Sequence, residues 1–346
     1  MSSVSVFIPC YKYGHFLADA VAGALDDQEG VDVRVLIIDD ASPDGSADVA
    51  RQIAARDPRV EVSVHATNKG HIATYNEGLL DWADGDYSVL VSADDRLTPG
   101  ALRRAVDLLD ANPGAGFVYG HPLHFQHGRP LPAARTKVTG WSVWPGHRWL
   151  ERRFRDAHSV ITAPEVVVRT SLQKKVGGYD PRLPHSGDME MWMRLAAHAD
   201  VGYIRGVDQA YYRVHSQNMQ KSFSPLADLS QRRLAYETVL ERCGDLLPDA
   251  ARLSDTVRRN LGREALWAAS RAYDRGRTGQ TPVDELVAFA FDCWPRAGSL
   301  PVYKGLQLRR RIGPRTMPYL QPFVLSAVAR KAGNWWWRRS WKLRGY

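Results

Sequence analysis

Cysteine is scarce in this chain: Cys10, Cys243 and Cys293 are the three among 346 residues. Scattered that widely, they make neither a disulfide framework nor a zinc cluster, and they suit a reducing compartment, so a cytoplasmic location is expected. Long apolar runs are missing too. The longest, near Tyr319 to Ala329, falls short of the roughly 20 residues a spanning helix needs and contains Pro322. Met1-Ser-Ser leads straight into the apolar stretch Val4 to Ile8, which leaves no room for a charged n-region and an h-region, so no signal peptide is expected. Glycine-rich phosphate loops are absent: neither G-x-G-x-x-G nor G-x-x-x-x-G-K-[ST] stands in the expected places, and the first strand is followed by Pro9-Cys-Tyr-Lys-Tyr-Gly14. A dehydrogenase or P-loop enzyme is thereby excluded, and any bound phosphate must be neutralised by a metal or by basic residues elsewhere. Acids are missing from 301–346, which holds eleven Lys and Arg, so the net charge of +8 belongs to that segment and the remainder is slightly acidic. Arguments about anionic partners therefore concern the last 46 residues.

What is present is an ordinary globular composition, 44% hydrophobic and 24% charged, in a chain long enough for a large core. Strand and helix patterns alternate through the first half. Apolar runs at Val4 to Ile8, Val31 to Asp39, Val60 to Val64, Tyr87 to Ser92 and Phe117 to Gly120 predict strands. The intervening segments predict helices, among them one opened by Ser46, one over Thr74 to Ala83 and one over Pro99 to Asp110. The fold class is α/β, a mostly parallel nucleotide-binding (Rossmann-like) sheet covered on both faces. Arg129 to Arg155 shows no clear period and predicts a long loop or short helices. Ile161 to Val168, Tyr203-Ile204 and Tyr211 to Val214 predict further strands. From Pro225 the pattern turns helical. The expected organisation is a catalytic domain over 1–222, a helical region over 223–300 and a basic, aromatic tail over 301–346.

The chemistry-bearing residues cluster where apolar strands stop. Asp39 and Asp40 end the second strand; Asp94 and Asp95 end the fourth, ahead of Thr98-Pro99. Ligands bind at the carboxyl edge of open α/β sheets, and paired acids there can hold a divalent cation against a phosphate-bearing substrate. Such a pair can also simply form an Asx turn before a helix. In Gly187-Asp-Met-Glu-Met-Trp192, Asp188 reads as the N-cap of a helix whose Met189, Trp192, Met193 and Ala196 share a face, with Glu190 paired to Arg194. His215 follows a strand and, alone, reads as a turn residue.

Taken in order, these segments resemble the family-2 inverting glycosyltransferases of the GT-A fold. The likeness runs through Val4-Ser-Val-Phe-Ile-Pro9-Cys-Tyr11, Ile37-Ile-Asp-Asp-Ala-Ser-Pro-Asp-Gly-Ser46, Asn68-Lys-Gly70 with Asn76-Glu-Gly78, and Ser92-Ala-Asp-Asp95. It continues through Gly177-Gly-Tyr-Asp180, Gly187 to Trp192 and Tyr212-Arg-Val-His215, covering about the first 220 residues. The resemblance implies that Pro9, Tyr11, Asp40, Lys69 and Asp94 face the nucleotide-sugar donor, Asp40 accepting from the base, most often uracil. It implies that Asp95, with His215, serves a Mg²⁺ or Mn²⁺ ion on the diphosphate and that Asp188 is the catalytic base. Ser92 departs from the usual first Asp of the metal motif, and Lys12 from the usual Asn.

The reaction so implied is transfer of a sugar from a UDP-sugar or similar donor to an acceptor hydroxyl by single displacement. A nucleotidyltransferase is the alternative enzyme; it would be expected to show a glycine-rich basic loop after the first strand. A non-catalytic protein binding a nucleotide or an anionic polymer is the third reading, and it leaves the acids without a purpose. No nucleic acid partner is expected. The basic segment suits anionic membrane lipid, with peripheral contact through Asn334 to Tyr346, or a lipid-linked acceptor, or an acidic carrier protein.

Overall fold

The computed structural model describes residues 1–218, 223–320, 341 and 345. The chain divides into two units. The first holds Met1–Trp149, Ser159–Asn218 and the described Trp341 and Gly345; the second holds Leu150–His158 and the described residues from Phe223 to Leu320.

In the first unit the β-branched runs become the strands that their pattern predicts. β1 (Ser3–Cys10), β2 (Asp32–Asp39), β3 (Val60–Val64) and β4 (Tyr87–Leu90) lie parallel in the order β3-β2-β1-β4. Val6 sits opposite Val35 on one side and Val89 on the other, and all three are at most 1% exposed. Strands buried on both faces need no alternation, which is why these runs are continuously apolar. They are joined by α1 (Gly14–Leu25), α2 (Ser46–Ala54) and the short α3 (His71–Asn76), which passes into a π-helical turn over Glu77–Trp82. The connections leave β1 toward β2 on one side and return to β4 on the other, so the strand order reverses at β1, and a ligand crevice forms at such a reversal.

The sheet continues through β5 (Arg96–Leu97), β6 (Ala115–Gln126), β7 (Gly140–Trp144), β8 (Val167–Arg169) and β9 (Asp200–Val214). β8 joins β4 to β6 antiparallel, β6 and β9 run parallel, and β5 and β7 pair antiparallel with β9. α4 (Ala101–Ala111), α5 (Gly146–Asp156), α6 (Thr170–Val176) and α7 (Gly187–His198) complete this part, α5 running on into the second unit.

Several boundaries differ from the sequence pattern. The stretch expected to be irregular contains β7 and most of α5. The two short strands expected near Tyr203 and Tyr211 are one 15-residue strand. Its polar middle holds because Asp208 is buried against Arg135 and His121 (Arg135 Nη2 2.5 Å, His121 Nδ1 3.2 Å). Ile161 to Val168 is mostly irregular, and β8 begins only at Val167. Asp188 is not the N-cap of α7; Ser186 holds that position, and Asp188 lies in the first turn.

The second unit contains α8 (Pro225–Cys243), α9 (Ala250–Asp274), α10 (Val283–Cys293) and α11 (Pro301–Ile312). Leu261, Leu266, Leu286 and Leu306 form its core, all 0% exposed. Buried guanidiniums are paired, Arg232 with Glu264 at 2.7 Å and Arg309 with Asp274 at 2.7 Å, as charges away from water must be. Residue 222, the expected domain boundary, and 321–340 lie outside the described residues. Of the aromatic tail, Trp341 packs its ring on His121 at 4.9 Å and the Gly345 carbonyl accepts from the Tyr119 hydroxyl, both within the first unit. Among the described residues no helix is long and apolar enough to cross a membrane.

Candidate active site

The acids expected from the sequence lie along the carboxyl edge of β1, β2 and β4. Asp95 follows β4 in a turn closed by its N–H on the Ser92 carbonyl (2.9 Å) and is 3% exposed. Its Oδ1 accepts from the Arg213 backbone N–H at 2.9 Å. The Arg213 guanidinium goes elsewhere, donating to the Asp94 carbonyl (2.7 Å) and to Asp19 (2.9 Å). Burial and the neighbouring Asp94 push the Asp95 carboxyl well above its usual range. A buried carboxylate beside a second one, with no side-chain cation bonded to it among the described residues, is what a divalent ion would neutralise.

That donor set fits a hard cation. Mg²⁺ is commonly held by one or two carboxylates, with water and substrate phosphate filling the remaining positions, and Mn²⁺ also accepts oxygen ligands. Among the described residues no three His, Cys, Asp or Glu side chains are grouped as a preformed metal cluster. His215 is placed on Asp94 rather than Asp95: its Nε2 lies 2.9 Å from Asp94 Oδ2, and Nδ1 accepts from the Gln217 N–H at 3.3 Å. Tyr13 stands edge-on to the His215 ring at 5.6 Å, and burial beside Asp94 and Asp95 raises its hydroxyl to about 12.

The charge of Asp188 reaches the same tyrosines as that of the acid pair. The Tyr75 and Tyr212 hydroxyls, both raised chiefly by burial, each feel the charges of Asp94, Asp95 and Asp188. Burial lifts the Asp188 carboxyl, while the Tyr179 hydroxyl bonded to it, with His71 and His185 nearby, acts in the opposite direction. Tyr179 is held in turn. Asn76 brackets its backbone (Tyr179 N–H to Oδ1 2.6 Å, Nδ2 to the Tyr179 carbonyl 3.0 Å). The fully buried Glu190–Arg194 pair (2.7 Å) ties α7 to the turn before it through the Gly178 carbonyl (2.7 Å). The i,i+4 pair read from the sequence is thus a buried strut that positions Tyr179 against Asp188.

Asp40 lies at the end of β2, 3% exposed, its carboxylate accepting from His65 Nδ1 (2.7 Å), Lys69 N–H (2.7 Å) and Gly70 N–H (2.9 Å). Burial would raise this carboxyl, but those donors outweigh it and hold it below its ordinary value. Gly70 takes φ +84°, a left-handed conformation that glycine adopts freely. The Lys69 ammonium is exposed and reaches Glu77 at 3.0 Å rather than the acid pair. Pro9 is partly buried at the end of β1; Tyr11 is 43% exposed, with the Lys12 ammonium 4.9 Å over its ring.

Glu165 was not anticipated, and its signal was a lone acid in the apolar run Ile161 to Val168. It is 1% exposed, accepts from the Thr162 N–H (2.7 Å) and hydroxyl, and burial lifts its carboxyl to about 8. Its charge also acts on Asp95 and Tyr212, as that of Asp94 does. Because the folded state holds a proton that the unfolded chain releases, this group's stabilisation is full below the ordinary carboxylate range and is lost as pH rises through about 8. Glu165→Gln, uncharged throughout, should therefore gain melting temperature over the parent between pH 5 and pH 9, on the order of one to a few kcal/mol at the alkaline end. A gap that stays constant with pH would contradict a buried, proton-holding Glu165.

Residues 5–171 match the family described as "Glycosyl transferase family 2". An uncharacterized glycosyltransferase of Nostoc sp. is 23% identical over 280 residues, 79% of this chain and 84% of the relative. Of the further curated relatives from Sinorhizobium, Bacillus and Haemophilus, the chain spans half the length or less. Among solved structures, S. aureus TarS 1–349 in complex with UDP-GlcNAc superposes with a TM-score of 0.62 at 16% identity, over 94% of this chain and 92% of that one. The mannosyltransferase PcManGT of Pyrobaculum calidifontis, in complex with GDP-Man and Mn²⁺, superposes with 0.54 at 14% identity, over 94% and 86%. The strand order and these likenesses give the chain the GT-A fold, and residues 5–171 are a glycosyl transferase family 2 region.

Proposed function

We propose that this enzyme transfers a sugar from a UDP-sugar to an acceptor hydroxyl by a single displacement, with Asp188 as the base and inversion at the sugar carbon. The observation that carries the reading is the buried Asp188, bonded by the Tyr179 hydroxyl, whose charge meets that of the Asp94–Asp95 pair on Tyr75 and Tyr212. Pro9, Tyr11, Asp40 and Lys69 are proposed on the donor side. In the displacement the acceptor oxygen bonds to the sugar carbon as the bond from that carbon to the diphosphate oxygen breaks. The acceptor proton passes to Asp188, and general-base help of this kind contributes about 10²- to 10⁴-fold. A Mg²⁺ or Mn²⁺ ion held by Asp95 and Asp94, with His215 orienting Asp94, would neutralise charge on the leaving diphosphate. Arg213 holds both residues from β9, its N–H on the Asp95 carboxylate and its guanidinium on the Asp94 backbone carbonyl.

Phosphorus NMR of the reaction products tests this against nucleotidyl transfer. A panel of nucleotide sugars incubated with Mg²⁺ or Mn²⁺ should yield UDP from a uridine donor. Pyrophosphate turnover would point instead to the nucleotidyltransferase.

The proposed setting is cytoplasmic, with the basic segment 301–346 meeting an anionic partner such as membrane lipid, a lipid-linked acceptor or an acidic carrier protein. What supports it is eleven cationic residues without an acid in the segment, of which Arg309 and Arg310 are already paired with Asp274 and Asp284. Co-sedimentation with anionic liposomes should appear at low salt and fade as salt rises. No binding at low salt would remove the lipid and leave the carrier.

A further inference from the structure

UDP-bound TarS and the GDP-Man complex of PcManGT leave the nucleobase open, since they carry different ones on one fold. The geometry around Asp40 discriminates between them, and we infer that His65 is a specificity-determining residue that makes the Asp40 carboxylate a selector for a uracil-type base over guanine. This inference rests on the proposal that Asp40 faces the base.

An ionised carboxylate accepts only, at about four lone-pair positions. Asp40 Oδ1 takes His65 Nδ1 and the Lys69 N–H, both at 2.7 Å, and Oδ2 takes the Gly70 N–H at 2.9 Å. Oδ1 is thereby full, and one acceptor position remains, on Oδ2. Uracil and thymine present one ring N–H on the edge that faces such a group. Guanine presents two adjacent donors, N1–H and the N2 amino group, and needs both carboxylate oxygens. Cytosine presents a bare ring nitrogen, a lone pair against a lone pair. A site with one free acceptor pairs the first kind of base completely and leaves the others with a buried polar group unpaired.

His65 is what fills the position guanine would need. It follows β3, is 7% exposed, and is fixed from its far side by Glu77, whose Oε2 lies 2.9 Å from His65 Nε2 and 3.0 Å from Lys69 Nζ. Its backbone N–H is bonded to the Asp39 carbonyl at 2.9 Å, which fixes its Cα beside the end of β2, and the two carboxylates hold the ring. The Lys69 N–H is backbone and cannot be mutated away. The histidine is therefore the side chain whose loss reopens Oδ1.

The test is calorimetric titration of the full-length protein with UDP, GDP and CDP in the presence of Mg²⁺, using the parent, His65→Ala and His65→Gln. The parent should prefer UDP over GDP and CDP by about tenfold or more, the discrimination expected for one unpaired buried donor or acceptor. His65→Ala should shrink the UDP-to-GDP ratio about tenfold by gaining GDP affinity. His65→Gln, which keeps an N–H donor for Oδ1, should restore the parental ratio. A misfolded variant would lose all three nucleotides together, and His65→Leu, which keeps the bulk but offers no donor, then carries the comparison. UDP binding with a ratio unchanged in His65→Ala, or a parent that prefers GDP, overturns the inference while leaving the glycosyltransferase reading in place. A parent that binds no nucleoside diphosphate overturns both.

Discussion

Asp188→Asn should lose about 10²- to 10⁴-fold in kcat while keeping donor affinity. Asn matches the shape of Asp, can still accept from the Tyr179 hydroxyl, and does not disturb the helix start, since Ser186 and not Asp188 holds the cap position. What it lacks is the lone pair basicity that takes the acceptor proton. The parent should show the corresponding pH dependence. A base must be ionised, burial raises the Asp188 carboxyl, and so kcat/KM should fall as pH drops through that raised value. The Tyr179 hydroxyl favours the ionised form, so Tyr179→Phe should move the acid limb to higher pH, with a normal rate above it. Stopped assays from pH 5 to 9 on the three proteins check this, and near-parental turnover by Asp188→Asn would remove Asp188 from the chemistry.

EDTA should abolish transfer, and Mg²⁺ or Mn²⁺ should restore it. Asp95→Ala should reduce activity about 10²-fold or more, the scale of losing one electrostatic contact to a developing anion, and should weaken the donor more than the acceptor. The apoprotein holds Asp95 as a buried acid with a raised proton affinity beside Asp94. A cation that binds the folded state alone should therefore raise the melting temperature with concentration, and less so in Asp95→Ala. Full activity in EDTA would mean that Ser92, standing where the family often has a first Asp, marks a metal-independent enzyme.

The acids were legible because each ends an apolar strand abruptly, and strand ends on one sheet edge converge in space whatever the intervening helices. The parallel run of β1 to β4 followed from the same pattern, since alternating strand and helix implies crossover connections. The role of Asp188 at the start of its helix was blurred. Helical periodicity places it in the first turn but cannot tell a cap from the residue two places later, and the contact that distinguishes them comes from Tyr179 across a turn. His65 and Glu165 were missed for a related reason. The partners of His65, Asp40 and Glu77, lie far along the chain, as do Asp95 and Tyr212, on which the charge of Glu165 acts, and a lone His or Glu beside an apolar run carries no periodic signal. The central part of β9 reads as a loop because Asp208 and Gln209 are polar; it is a strand because Arg135, His121 and Arg104 satisfy them inside. The basic tail was legible as charge alone, and its residues beyond Leu320, apart from Trp341 and Gly345, lie outside the described part of the chain.

The stereochemistry of the transferred sugar tests single displacement with Asp188 as base most directly. Proton NMR of the glycoside formed from an α-linked UDP-sugar, or of the free sugar at the earliest times of donor hydrolysis, reports the anomeric configuration from the coupling of the anomeric proton. The account predicts the β product, with the parental configuration retained in whatever residual turnover Asp188→Asn shows. An α product would require a double displacement or a front-face attack and would contradict it.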